Sequence, residues 1–98
     1  MFYMNIICLV KDLILISTIQ NSLKDHQVEF IDNYKGQNFD LLILDMDLPE
    51  SYELCKKFPE KSFCFGSHKD TELMDKFKQT GCKSVYPRSA IKAALKNL

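Results

Sequence analysis

Phe39-Asp40-Leu41-Leu42-Ile43-Leu44-Asp45-Met46-Asp47-Leu48-Pro49 is the stretch on which the reading of this chain turns. Four consecutive apolar residues with no polar alternation describe a strand buried on both faces, as in a parallel sheet with helices on each side. The strand stops at an acidic cluster and then at Pro49, whose ring restrains the preceding residue and removes a backbone donor. A carboxylate abutting Leu-Leu-Ile-Leu is desolvated unless something pairs with it, so Asp45 is the first candidate for chemistry.

Outward from this strand the same grammar repeats. An apolar run over 5–10 precedes a segment, 13–24, whose Leu13, Ile16, Ile19 and Leu23 recur at helical spacing, with Asp12 placed to cap its start. A short strand over 28–31 follows. Residues 32–38, rich in Asx and holding Gly36, read as a loop with at most one helical turn. Beyond Pro49, 50–58 forms a short helix that Pro59 breaks, and 62–66 is a fourth strand ending at Ser67-His68. A helix capped by Asp70 or Thr71 carries Leu73, Met74 and Phe77 inward and closes at Gly81. A fifth strand over 83–86 and a short helix over 90–98 complete one domain, residues 1–98, with α/β architecture.

Composition narrows the function classes. Thirteen Lys+Arg balance thirteen Asp+Glu, so no whole-molecule field favours nucleic acid or an anionic membrane. With 46% hydrophobic and 11% aromatic residues, the chain has a folded core rather than a disordered composition. Cys8, Cys55, Cys64 and Cys82 form no C-x-x-C pair, and neither His26 nor His68 lies at finger-like spacing, so metal binding through sulfur is not expected. Cys8 and Cys64 sit in apolar runs as small hydrophobes. The N-terminal apolar stretch has no basic residue ahead of it, and Lys11-Asp12 interrupts it before a signal peptide or membrane span, so a reducing cytoplasm is the expected location. Met4 is an alternative start to Met1.

In open parallel α/β sheets, ligands sit beyond the carboxyl ends of the strands. Lys11, Asp12, Asp45, Asp47, Ser67, His68 and Arg88 all fall at such ends, with His68 read as a solvated strand-end histidine. The sequence from Asp40 to Pro49 resembles the phosphoacceptor strand of response-regulator receiver domains, D-L-hydrophobic-x-x-D-x-x-hydrophobic-P. Receivers also carry a Ser or Thr at the end of strand four, here Ser67. They carry a Lys seven residues after the Gly that closes helix four, where this chain has Arg88 after Gly81.

The resemblance covers Asn5 to Leu98. It implies a flavodoxin-like (CheY-like) three-layer fold with a five-stranded parallel sheet of order 2-1-3-4-5 and shortened second and third helices. By the same resemblance Asp45 is the phosphoacceptor position and Ser67 the switch hydroxyl. Asp12, Asp45 and the main chain at Asp47 are the weak Mg²⁺ ligand set. A histidine kinase, phosphotransfer protein or downstream target is the implied partner, meeting the face formed by 70–81, 83–86 and 90–98.

Several departures from the receiver pattern set the functional expectation. Lys11 replaces the first acid of the usual pair, where its ammonium would pair with Asp45 or Asp12 and repel Mg²⁺. Arg88 replaces the usual Lys, and its planar fork is not equivalent to a compact ammonium. Val85 stands where many receivers carry a switch aromatic, with Tyr86 next to it, and the Gly-containing loop after the phosphorylation motif is missing. The expectation is an atypical receiver-like module, standing alone and acting by protein contact, in which Asp45 is ionised and paired with Lys11 or Arg88. The alternative is a competent Mg²⁺-dependent phosphoacceptor whose only catalysis is its own phosphorylation and dephosphorylation. A remote third reading, a phosphocysteine carrier of the sugar-phosphotransferase type, rests on Cys8.

Overall fold

The computed structural model describes residues 3–67 and 69–98; Met1 and His68 lie outside the described residues. The chain alternates β1 (Asn5–Leu9), α1 (Leu13–Ser22), β2 (Gln27–Phe30), β3 (Leu41–Asp45), α2 (Ser51–Lys57), β4 (Ser62–Gly66), α3 (Thr71–Lys78), β5 (Ser84–Pro87) and α4 (Ile91–Leu95). Single 3₁₀ turns at Pro59–Lys61 and Arg88–Ala90 lead into β4 and α4. All four strand pairings are parallel, in the order β2-β1-β3-β4-β5. The order reverses between β1 and β3, which places a crevice at the carboxyl ends of those two strands.

Side-chain alternation along the central strands builds two cores, one on each sheet face. Leu42, Leu44, Cys64 and Val85 meet Leu54 and Cys55 of α2 and Phe77 of α3. Ile43, Phe63 and Phe65 meet Ile19 of α1 and Ile91 and Leu95 of α4. Because both faces are covered, β3 and β4 need apolar residues at almost every position, and the strand over 41–45 takes this form.

Local chemistry sets the helix ends. The Asp12 carboxylate accepts from the Ile14 and Leu15 amides (2.9 and 3.2 Å) and Asp70 accepts from Leu73 (3.0 Å), supplying partners for amides the first turns leave orphaned. Gly81 follows α3 at φ +99°, a left-handed backbone that glycine adopts without a Cβ penalty.

Several expectations are corrected. The second helix of the resemblance is absent rather than shortened: residues 31–40 contain bends, with Gly36 at φ +84°, and no helical turn. The Asp40 carboxylate receives the Asn5 amide at 2.8 Å, stapling the end of this loop directly to β1. Helix α4 spans five residues rather than nine: Arg88–Ala90 is a 3₁₀ turn, and Ile91 and Leu95 are the buried residues of the helix, with Ala94 packed beside them. Leu13, expected inward, is 80% exposed with Ile14 at 78%, and α1 reaches the core through Leu15, Ile16 and Ile19 instead.

Candidate functional site

Asp45 is the last residue of β3 and is 5% exposed. Its main-chain carbonyl accepts from the Leu48 amide at 3.0 Å and from Ser51 Oγ at 2.5 Å, which binds the start of α2 to the end of the strand. Its carboxylate receives the Asp47 amide on Oδ1 at 3.0 Å. The dominant contact comes from the far edge of the sheet. Arg88, in the turn after β5, places Nη2 at 3.1 and 3.0 Å from the two Asp45 carboxylate oxygens and at 2.9 Å from Asp47 Oδ2. One guanidinium nitrogen thus bridges both acids.

The pairing answers the solvation problem posed by the sequence. A buried carboxylate needs a counter-charge or several donors, and Asp45 has both. The guanidinium carbon lies 5.4 Å from the centroid of the Phe65 ring, whose face attracts the cation and limits where it can swing. Burial opposes the charge on Arg88, but the hydrogen bond to Asp47 and the field of Asp45 outweigh it, holding its acidity below that of a free guanidinium. Arg88 is the cation that pairs with Asp45, as one of the two sequence-level options required.

The other candidates are dispersed. Lys11 is exposed and, among the described residues, makes no ion pair with Asp45 or Asp12; it borders a shallow cleft with Asp32, Asn33 and Glu50. The Asp12 carboxylate is engaged by the first amides of α1. Ser67, half-buried after β4, accepts the Lys69 amide on its hydroxyl at 3.3 Å. Tyr86 turns toward the α1/α4 core and packs on Phe63 with ring centroids 5.0 Å apart, while Val85 points into the opposite core. Cys8 is fully buried in β1, and burial pushes its thiol up to about 12, the opposite of an activated phosphate-carrying nucleophile.

A hard divalent ion takes oxygen ligands, and the acids at this edge are those an ion would use. In the observed geometry Arg88 Nη2 already lies against three of their oxygens, at the point between Asp45 and Asp47 where such a charge would go. The donor set as arranged does not fit Mg²⁺.

Sequence reasoning missed one cluster. Cys55 of α2, Cys64 of β4 and Cys82 ahead of β5 bring their sulfurs together in the α2/α3-side core, all within 4.8 Å of one another. The chain separations hide this.

No family model and no curated protein matches the sequence. Comparison with solved structures gives a consistent fold. The BeF3-activated DrrB receiver domain is similar with a TM-score of 0.76 at 17% identity, covering 98% of this chain and 97% of that one. A response regulator from Thermotoga maritima is similar with a TM-score of 0.73 at 14% identity, covering 98% and 97%. Full-length FixJ from B. japonicum gives 0.74 at 14% identity, with 99% of this chain covering 58% of that one. With the sheet order 2-1-3-4-5 and an aspartate ending β3, these likenesses show that the chain has the CheY-like fold of response-regulator receiver domains.

Proposed function

We propose that this chain is an atypical receiver-like signalling module that acts through protein contacts, with Asp45 held in a resident ion pair in place of a Mg²⁺-dependent acyl-phosphate cycle. The observation that carries this reading is the single Arg88 nitrogen within 3.1 Å of both Asp45 oxygens and 2.9 Å of Asp47. A carboxylate attacking a phosphoryl donor needs a free oxygen and a cation on the transferring group. Here the carboxylate oxygens already accept from Arg88, and moving the guanidinium away uncovers a buried anion. The four free, buried thiols fit a reducing cytoplasm.

The partner is a protein of a phosphotransfer pathway, such as a histidine kinase or a downstream target, reached either on the α3–β5–α4 face or at the start of α1. The second surface has Leu13 and Ile14 exposed next to the strand ends that carry Asp45. Hydrogen-exchange protection confined to one of these surfaces on adding a candidate kinase identifies the contact; uniform protection argues against both.

Incubation with acetyl phosphate and Mg²⁺, read by intact mass, tests the resident-pair reading. The expected spectrum is that of unmodified protein. One phosphoryl group per chain, lost in Asp45→Asn, overturns it and establishes the competent phosphoacceptor instead.

A further inference from the structure

Three of the four cysteines, drawn from three separate elements, face one another in the α2/α3-side core. Their exposures are 0% for Cys55, 0% for Cys64 and 3% for Cys82. Cys64 Sγ lies 3.7 Å from Cys55 Sγ, and Thr80 Oγ1 lies 3.2 Å from Cys55 Sγ. We propose that Cys55, Cys64 and Cys82, with the Thr80 hydroxyl as a neutral fourth donor, form a structural binding site for Zn²⁺.

The geometry is close to what the ion requires. A Zn–S bond of about 2.3 Å in a tetrahedron sets neighbouring sulfurs about 3.8 Å apart. The Cys55–Cys64 pair already has that spacing. The remaining separations, at most 4.8 Å, need a contraction of about 1 Å or less to match it. Sulfur donors select a soft or borderline ion and reject Mg²⁺. Charge then favours a divalent ion over a monovalent one: three thiolates around Zn²⁺ leave one net negative charge in an apolar core, whereas around Cu⁺ they leave two.

The surroundings supply orientation. Cys82 Sγ donates toward the carbonyls of Ser62 (3.2 Å) and Ser84 (3.6 Å), and the Thr80 hydroxyl donates to Phe77 O at 2.6 Å and accepts the Cys82 amide at 3.3 Å, leaving one lone pair for the side facing Cys55. Zn²⁺ binding displaces the three thiol protons to solvent and forms three Zn–S bonds, with no change of oxidation state. A surface cleft of about 260 Å³, lined by Pro59, Glu60, Ser62, Gly81, Lys83 and Ser84, includes the two residues whose carbonyls hold Cys82.

The test uses the reduced full chain, stripped with a chelator and titrated with Co²⁺ and then Zn²⁺. The expected result is a thiolate-to-cobalt charge-transfer band that saturates at one equivalent and is bleached by Zn²⁺, with one Zn²⁺ per chain in native mass spectra. Cys64→Ser and Cys82→Ser should each weaken retention by about tenfold or more, and Cys8→Ser should leave it unchanged. Absence of the band and of stoichiometric zinc in the wild type, which needs no variant to fold, overturns the proposal. Zinc uptake equal in wild type and both cluster variants overturns it too, as does formation of a Cys55–Cys64 disulfide under mild oxidation with no metal uptake by the reduced protein.

Discussion

The carboxylates beyond β3, with Asp45 buried and Asp47 exposed, and the buried thiols beneath α2 are both polar clusters in one small fold, yet they are satisfied in opposite ways. At the β3 edge the chain delivers its own cation, Arg88, onto Asp45 and Asp47. Beneath α2 the sulfurs are bonded to one another, to Thr80 and to carbonyls, all neutral partners. The contrast shows that whether a cluster of ligand-type residues recruits an ion depends on what the sheet brings to it from other strands. Asp45 belongs to a metal-binding motif by sequence and is closed by an arginine 43 residues away. The cysteines have no motif in sequence, and folding gathers them without a counter-charge.

The largest expected effect sharpens the thiol side of this comparison. Phe77 is fully buried between α3 and the sheet, packs edge-on to Tyr52 at 5.5 Å and walls the core that holds the three sulfurs. Phe77→Ala should cost about 3–5 kcal/mol in denaturant unfolding, since the close-packed surroundings relax only in part. A loss below about 1 kcal/mol would mean that this core is loosely packed and that the thiol distances are not fixed by it.

Arg88→Ala probes the carboxylate side. It removes the charged donor from two aspartates, one of them buried, and should cost about 1.5–3 kcal/mol. In an Asp45→Asn, Asp47→Asn background the same change should cost much less, and a double-mutant cycle reads the coupling directly. Additive effects would break the claim that Arg88 acts through the two acids.

Titration distinguishes a thiol packed as a hydrophobe from one in the cluster. Cys8 carries a folded-state value of about 12 against 9.0, so the fold favours its neutral form. That contribution is complete below pH 9 and falls by about 1.4 kcal/mol per pH unit between there and pH 12, because the unfolded chain loses the proton first. In urea melts from pH 8 to 11 the stability difference between wild type and Cys8→Ala should therefore shrink with rising pH. A difference independent of pH would contradict the buried-thiol account.

The smallest effect separates a cap from a metal ligand. Asp12→Ala should cost about 1 kcal/mol through the amides of Ile14 and Leu15. It should leave the response to Mg²⁺ unchanged.

Much of this was legible in residues close together in sequence. The run Leu41 to Leu44 announced a doubly covered strand, Asp12 and Asp70 sat at the caps they fill, and Gly81 took the left-handed position. Even Arg88 was legible as a site residue, because strand ends converge in this architecture whatever lies between them. Other features depend on distances that no local pattern encodes. Lys11 and Arg88 were equal candidates for Asp45; Arg88 lies over Phe65 and reaches the carboxylate, while Lys11 stays exposed at the rim of a separate cleft. The near-loss of the second helix was legible in the Asx- and Gly-rich run 32–38, whereas the anchoring of that loop to β1 depends on Asp40 reaching the Asn5 amide across 35 residues. The sulfur cluster joins residues 9, 18 and 27 positions apart, at no spacing a finger motif would use.

The central claim is that this fold supplies its own cation to Asp45. Isothermal titration with Mg²⁺ of wild type and Arg88→Ala, side by side, tests it most directly. The wild type should show no saturable binding in the millimolar range, and Arg88→Ala, where the carboxylates of Asp45 and Asp47 are released, should show it. Wild-type binding as tight as that of Arg88→Ala would contradict it.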